Sequence, residues 1–128
     1  MRTILALTLL LFLISCSNEG EEQTKSSTVS YHVEGTGSIY RIQYRTNNGA
    51  VEFLYNQELP LIVEVENYSQ QKVVEAFVQI NQISDREFID RVYLKVDGVI
   101  VDEASFFNTE ELNAVGDGKY SVRLYYEW

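Results

Sequence analysis

Residues 92–102, VYLKVDGVIVD, decide the fold of this 128-residue chain. Two runs of strand-forming side chains, residues 92–96 and 99–102, flank the pair Asp97-Gly98. A two-residue turn between antiparallel strands needs positive φ at both positions, which Asp and Gly adopt more readily than most residues. The segment therefore predicts a β-hairpin with Asp97-Gly98 at its tip.

The same two-residue period continues on both sides of this hairpin. Further strands are predicted within residues 29–34, 39–45, 51–55, 59–66, 72–80 and 120–128. Turn sequences separate the first of them, at Gly35-Thr36-Gly37 and at residues 46–49. We predict one domain over residues 29–128, an all-β antiparallel sandwich of about seven strands, with Phe53 and Val96 in its core.

Residues 108–116, NTEELNAVG, instead predict one or two helical turns. Asn108 or Thr109 would cap this helix, and Gly116 would end it. Residues 72–79 also contain helix-forming side chains, but their β-branched alternation favours a strand.

The N-terminus has the layout of a secretory signal. Arg2 supplies a positive charge, residues 4–14 are apolar except for Thr8, and the small residue Ser15 precedes Cys16, the one cysteine of the chain. Eleven helical residues at about 1.5 Å each reach only half of a ~30 Å hydrocarbon core, so a membrane span is not expected. Residues 1–15 are therefore predicted to be a signal peptide.

This segment also resembles the bacterial lipoprotein signal, in which an aliphatic, a variable and a small residue precede a cysteine. The resemblance implies cleavage before Cys16, a diacylglyceryl thioether on its sulfur and a third acyl chain on its new amino group. Acylation would leave no thiol in the chain. Disulfides, thiolate metal sites and a cysteine nucleophile are then excluded.

Residues 16–28 are predicted to be a lipidated acidic tether, because residues 17–28 contain no apolar side chain. Ser17 after the cysteine resembles an outer-membrane sorting signal. The cluster Glu19, Glu21 and Glu22 is similar to the acidic export signals that send some Bacteroidetes lipoproteins to the cell surface. A periplasmic and a surface orientation both stay open.

The charge balance limits the kinds of partner. Without the signal, nine Lys and Arg stand against nineteen Asp and Glu, a net charge of −10. Nucleic acid is not expected to bind, because phosphate contacts need a basic surface. Direct adsorption to an anionic membrane is disfavoured for the same reason, so the lipid on Cys16 must provide the anchor.

Few residues suggest catalysis or metal binding. His32, the single histidine, alternates with Tyr31 and Val33 and is predicted to be a surface or edge residue rather than a catalytic base. Glu64 and Glu66 lie about 7 Å apart on one strand face, which could suit a glycosidase, but their spacing is typical of a solvated face.

Asp97, Asp102 and Glu103 lack the ligand ladder of a calcium loop. Gly35-Thr36-Gly37 is predicted to be a turn rather than a dinucleotide loop, since a third glycine is missing. We expect no cofactor, no metal and no enzymatic activity.

Aromatic residues offer the remaining candidates for binding. The strands contain Tyr40, Tyr44, Tyr55, Tyr93, Tyr125, Tyr126 and Trp128. Such side chains serve core packing most often, and they also bind sugars and protein partners.

Several motifs resemble the MmpS family. They are residues 31–37, YHVEGTG, then Ile42-Gln43-Tyr44 and Leu59-Pro60, and later residues 94–103, LKVDGVIVDE. The resemblance covers nearly all of residues 31–128 and implies an immunoglobulin-like β-sandwich. MmpS proteins are accessory subunits of RND-type transporters that export lipids and siderophores in mycobacteria.

This chain has a lipoprotein signal where those proteins have a transmembrane helix, and it lacks their cysteine pair. The expected function is a non-catalytic envelope module that its lipid anchors to the outer membrane and that binds an envelope protein such as an RND-type transporter. The alternative is a cell-surface lipoprotein that binds glycan or another small ligand.

Overall fold

The computed structural model describes residues 25–70 and 72–128, which form nine strands and one short 3₁₀ helix. The strands are β1 Ser26–Gly35, β2 Ser38–Arg45, β3 Val51–Glu58, β4 Leu61–Ser69, β5 Val74–Ile80, β6 Ile89–Val96, β7 Val99–Ala104, β8 Asn113–Gly116 and β9 Lys119–Tyr126, and the 3₁₀ helix is Ile83–Phe88. In the described part of the chain, no helix is long and apolar enough to cross a membrane.

The strands form two antiparallel sheets. Sheet A has the order β4-β1-β6-β7, and sheet B has the order β3-β2-β5-β9-β8. The prediction of an all-β sandwich is confirmed, with nine strands where about seven were expected. The turn at Gly35-Thr36-Gly37 takes the chain from β1 in sheet A to β2 in sheet B, whereas the first two strands of an immunoglobulin constant domain are neighbours in one sheet.

Side chains from both sheets bury one apolar core. Its fully buried members include Val29, Tyr31, Val33, Ile42, Tyr68, Val74, Val78, Leu94, Val122 and Leu124. The two fully buried tyrosines of this core keep their hydroxyls satisfied, as buried polar groups must. Tyr31 donates to the carbonyl of Arg45 (3.2 Å), and Tyr68 donates to the carbonyl of Val73 (2.6 Å). Burial raises the pKa of Tyr31 far above its usual range.

The hairpin at Asp97-Gly98 is confirmed, with φ values of 50° and 79°. The Asp97 carboxylate accepts hydrogen bonds from the backbone N–H of Thr28 (2.9 Å) and from Ser27 Oγ (2.8 Å), which lower its pKa. These bonds belong to β1, which begins at Ser26, inside the segment predicted to be tether. The tether was therefore predicted to extend too far into the domain, because its polar composition hid a paired strand end.

The predicted helix at residues 108–116 is wrong. A single turn forms at Asn108, whose carbonyl accepts from the N–H groups of Glu111 (3.1 Å) and Leu112 (3.0 Å), and β8 follows directly. The reason is a second hairpin, because Asp117 and Gly118 have φ values of 53° and 72° and join β8 to β9. The strand predicted over residues 72–80 is confirmed as β5.

Candidate functional site

The outer surface of sheet B, which we call face B, contains three rows of side chains that run across the strands. The first row is Tyr55, Arg41, Gln79, Ser121 and Asn113; the second is Phe53, Gln43, Phe77 and Arg123; the third is Val51, Arg45, Glu75 and Tyr125. Residues directly opposite each other on paired strands share one side of a sheet. Aromatic, arginine and amide groups are therefore brought together on one surface.

Two aromatic rings of face B are open to solvent. Phe53 is 44% exposed and Tyr55 is 49% exposed, and their rings stack with centroids 6.4 Å apart. The prediction that Phe53 lies in the core is wrong. The alternation along β3 was right but its faces were inverted, because Leu54 is the side chain that packs against the core.

A groove of about 340 Å³ lies in the middle of face B. Its lining residues are Arg41, Gln43, Phe77, Gln79, Asn113, Val115 and Ser121. The short strand β8 contributes Asn113 and Val115, so the hairpin missed in the sequence provides one wall. Two polar residues of the lining are almost fully buried, since Gln79 is 5% exposed and Ser121 is 4% exposed.

Arg41 lies over this groove with part of its hydrogen-bonding capacity unused. Its Nη2 donates to Gln79 Oε1 (2.9 Å), and its guanidinium carbon lies 5.3 Å from the centroid of the Phe53 ring. Its Nε is buried and has no hydrogen-bond partner among the described residues. A buried donor without a partner is unfavourable in a folded protein, and Arg45 Nε is in the same state.

The other two arginines of face B share one carboxylate. Arg123 Nε donates to Glu75 Oε2 (2.7 Å), and Arg45 Nε lies 3.5 Å from Glu75 Oε1. Arg41 has no ion pair in the described chain. Face B is therefore locally positive on a strongly acidic protein, which favours a partner that presents negative charge.

The outer surface of sheet A, which we call face A, has a different character. His32 stacks on Tyr93 with centroids 4.6 Å apart and an interplanar angle of 8°. Tyr93 donates its hydroxyl to Glu34 (2.6 Å), and Arg91 Nε donates to Glu103 (2.8 Å) while its guanidinium covers the Tyr93 ring. The polar side chains of this face bond mainly to one another.

His32 is more buried than the sequence predicted. It belongs to β1, an inner strand of sheet A, and is only 9% exposed because Tyr93 covers its ring. Burial and the nearby Lys95 lower the pKa of His32. Its Nε2 lies 2.8 Å from Ser30 Oγ, which brings together an imidazole and a hydroxyl, although neither residue lines the groove on face B.

The acidic candidates have separate partners. Glu64 and Glu66 are exposed, as expected for a solvated strand face. Asp102 accepts from the backbone N–H of Tyr125 (2.8 Å), Asp97 bonds to β1, and Glu103 pairs with Arg91. Within residues 25–70 and 72–128, no three His, Asp or Glu side chains form a group that could hold a metal ion.

Most of the candidate aromatics have packing roles. Tyr44 is buried and donates to Glu52 (2.9 Å), and Trp128 packs against Tyr68 and Tyr126 near the C-terminus. Tyr40 packs edge-on against Tyr55, and Tyr93 belongs to face A. Of the seven, Tyr55 and Tyr125 lie on face B. Cys16, the predicted lipid-attachment site, lies outside the described residues.

Arg41, Gln43, Phe77 and Gln79 were not among the functional residues predicted from the sequence. A usable signal was present in β2, where Arg41, Gln43 and Arg45 alternate with the buried Ile42 and Tyr44. Comparison of the chain with protein-family models and with curated proteins finds no match. Membership of the MmpS family therefore stays a prediction.

Proposed function

We propose that this protein is a non-catalytic, lipid-anchored envelope protein that binds a protein partner through face B. The observation that carries the proposal is the exposure of Phe53 and Tyr55 beside Arg41, whose Nε has no partner in the described chain. Aromatic residues and arginine are enriched at protein interfaces, whereas lysine and acidic residues are depleted. The rows of face B contain three arginines, no lysine and one acidic residue.

The partner that best fits face B is an envelope protein with an acidic contact surface. Charge complementarity supports this choice, because Arg41 is not neutralised and Arg45 and Arg123 share Glu75. An RND-type transporter subunit is the candidate that the MmpS resemblance suggests. Complementary charge would speed association and set the orientation of binding, while the aromatic side chains would supply most of the affinity.

Site-specific photo-crosslinking in cells tests this proposal. A photoreactive amino acid at Tyr55 should give a discrete adduct with one protein, and the same group at Ile62, an exposed apolar residue of face A, should not. The purified adduct partner should then bind the double variant Phe53→Ala, Tyr55→Ala at least about tenfold more weakly than wild type. Equal adducts from both positions, or no loss of affinity, would contradict the proposal.

The lipid anchor is part of the same proposal. Mass spectrometry of membrane-fraction protein should show a triacylated Cys16 as the N-terminus, and salt should not release the protein. Cys16→Ala should be found in the soluble fraction. Membrane retention of that variant would contradict lipid anchoring, and protease treatment of intact cells would distinguish the surface from the periplasm.

Glycan or small-ligand binding is the second candidate. The observation in its favour is the side-by-side stacking of Phe53 and Tyr55 next to the amides of Gln43 and Gln79. Aromatic platforms with neighbouring amides suit the apolar faces and hydroxyls of a sugar ring. Measurable binding on a glycan array, together with no protein adduct at Tyr55, would favour this function over the first.

The non-catalytic part of the proposal is tested at His32. His32→Gln removes the one side chain that could act as a base near neutral pH, since the chain has one histidine. We expect its biological activity to equal that of wild type. Loss of activity without a lower melting temperature would show that the Ser30–His32 pair takes part in chemistry.

A further inference from the structure

We infer that the groove of face B is a carboxylate-binding site in which Arg41 is the main receptor. The inference rests on the proposed function, since it names the chemical group that face B recognises. Four features of the groove support it: an arginine without an ion pair in the described chain, the polar side chains of Gln79 and Ser121, a lining without acidic residues, and apolar surface from Phe77 and Val115.

Arg41 is held in position for a ligand. The bond from its Nη2 to Gln79 Oε1 and the contact with the Phe53 ring fix the plane of the guanidinium. Nε remains buried without a partner. A guanidinium presents its donors in a planar fork that matches the two oxygens of a carboxylate. Arg41 therefore presents a positive charge that Gln79 holds in place and that no ion pair within the described chain neutralises.

Gln79 and Ser121 extend the donor set across the groove. Gln79 uses its carbonyl oxygen for Arg41, which leaves its amide N–H groups available, and no side-chain bond of Ser121 is present among the described residues. Both side chains are more than nine-tenths buried and line the groove. Their unused donors therefore add two hydrogen-bonding groups beside Arg41 in the wall of the groove.

The charge of the groove selects an anion. None of its seven lining residues is acidic, although the chain has nineteen Asp and Glu. Glu75, the acidic residue of face B, is already paired with Arg45 and Arg123. A carboxylate would therefore meet Arg41 without repulsion from the lining. On this protein the rest of the surface, which is strongly acidic, would repel it.

The size of the groove sets the rest of the ligand. A volume of about 340 Å³ is at the small end of ligand sites, and Phe77 and Val115 give it apolar surface. A carboxylate attached to a compact body fits, and the occupant that agrees with the proposed function is an Asp or Glu side chain of the partner protein, with a uronic acid of a glycan as the other outcome of the test. The two sources share the same recognition chemistry and differ in what surrounds it.

A nuclear magnetic resonance titration of the full-length protein distinguishes these sources. The probes are glucuronate, its neutral counterpart glucose, and the dipeptide-sized compound N-acetylglutamate methylamide. Both carboxylates should shift the side-chain amide signals of Gln79 and Gln43, and glucose should not. Tighter binding of glucuronate would identify a glycan source, and tighter binding of the glutamate compound would identify a protein source.

Two variants test the role of Arg41. Arg41→Gln should weaken binding of the better carboxylate by about tenfold or more, because it removes charge-assisted hydrogen bonds, and Arg41→Lys should recover part of the loss. Arg123→Gln, on the same face but paired with Glu75, is the matched control and should change affinity less than about twofold. Equal losses from both arginines would show attraction by the whole face and overturn the inference.

A third variant keeps the test valid if Arg41 also supports the fold. Val115→Glu places a carboxylate in the groove at an exposed position of β8 and should abolish binding by repulsion, whereas Val99→Glu at the exposed start of β7 should not. The inference fails if the probes cause no shifts or if glucose binds as well as glucuronate. Crosslinking at Tyr55 is independent of these results, so face B can remain an interface when the groove binds no carboxylate, and the reverse also holds.

Discussion

The two outer faces of the sandwich use polar side chains in opposite ways. On face A, Tyr93 is enclosed by His32 and Arg91, and its hydroxyl is bonded to Glu34. On face B, Phe53 and Tyr55 are open to solvent, and Arg41 keeps a buried donor unused. Both faces come from strands with the same alternation, so the difference lies in which polar partners the neighbouring strands provide.

This difference separates stability from binding. A polar group that is bonded within the chain contributes to the folded state and has little left to offer a ligand. A group that is left unbonded costs stability, and this cost is offset when a ligand binds. We therefore expect substitutions on face A to change stability and substitutions on face B to change binding.

The largest loss of stability is expected at Gly35, in the turn that connects sheet A to sheet B. Gly35 has a φ of 149°, and an added Cβ would overlap the carbonyl oxygen of Phe88, which also accepts the N–H of Thr36 (2.9 Å). Gly35→Ala should therefore lower the free energy of unfolding by about 3 kcal/mol or more. Gly37→Ala is the control, because nothing lies within 4 Å of its Cβ position, and it should cost about 1 kcal/mol. Equal losses of unfolding free energy for the two variants in urea would show that the close contact with Phe88 does not set the cost.

The next effect compares one tyrosine from each face. Tyr93→Ala removes a ring that is 6% exposed, together with its stacking on His32, and should lower the melting temperature by about 10 °C or more. Tyr55→Ala removes a half-exposed ring from face B and should lower it by less than about 5 °C. Thermal melts of the two variants under one condition check the difference. A larger loss from Tyr55→Ala would break the distinction between the faces.

A smaller effect tests the corrected position of Phe53. Val96 is buried in the core, so Val96→Ala should cost about 2 kcal/mol. Phe53→Ala deletes a larger side chain but should cost less than about 1 kcal/mol, since Phe53 is exposed. Chemical unfolding of both variants gives the comparison. The reverse order would mean that Phe53 belongs to the core, as was predicted from the sequence.

Phe53 shows a physical limit of sequence patterns. The period of two in β3 separates Val51, Phe53 and Tyr55 from Glu52 and Leu54, and the structure keeps that separation. β3 is an edge strand of sheet B, and only part of an edge strand covers the core. The position of the strand therefore decides which of the two sets faces the core. Leu54 faces the core, while Glu52 accepts a hydrogen bond from Tyr44 at the sheet edge. The composition of β3 favoured the aromatic set as the core-facing one, whereas the edge position of the strand leaves that set exposed.

The two Asp-Gly hairpins make a second comparison. Asp97-Gly98 was predicted and Asp117-Gly118 was not, although their φ values differ by less than 10°. The flanking residues explain this, because residues 92–102 are rich in β-branched side chains and residues 108–116 contain Glu, Leu and Ala. Turn chemistry outweighs helix propensity in the second case, since a one-turn helix gains few hydrogen bonds. Without this hairpin the groove could not be predicted, because β8 forms one of its walls.

The candidate site was less predictable than the fold. The sandwich follows from alternation and turn residues that are close together in the chain. The groove needs Arg41, Gln79, Ser121 and Asn113, which come from four strands and meet only through sheet order. The burial of His32 was unpredictable for the same reason, since it comes from Tyr93 on a strand far along the chain.

The smallest expected effect is a dependence on pH that only face A shows. Burial and Lys95 lower the pKa of His32, while Glu34 and Glu64 oppose this shift. The unfolded chain therefore binds a proton near pH 6.5 that the folded chain resists, so stability is full above that pH and falls as the pH drops toward the folded pKa. The lowered pKa values of Asp97 and Glu103 also make stability fall as the pH drops, but only in more acidic solution.

Urea unfolding at pH 7, 6 and 5 should show a gradual loss of stability in the wild type and a flatter profile in His32→Gln. Arg41→Gln on face B is the matched control and should keep the wild-type slope, because it leaves His32, the one histidine of the chain, unchanged on the other face. An unchanged slope in His32→Gln would mean that the enclosed histidine protonates as easily when folded as when unfolded. The packing of Tyr93 on His32 would then not hinder protonation, and the two faces would not differ in their response to pH.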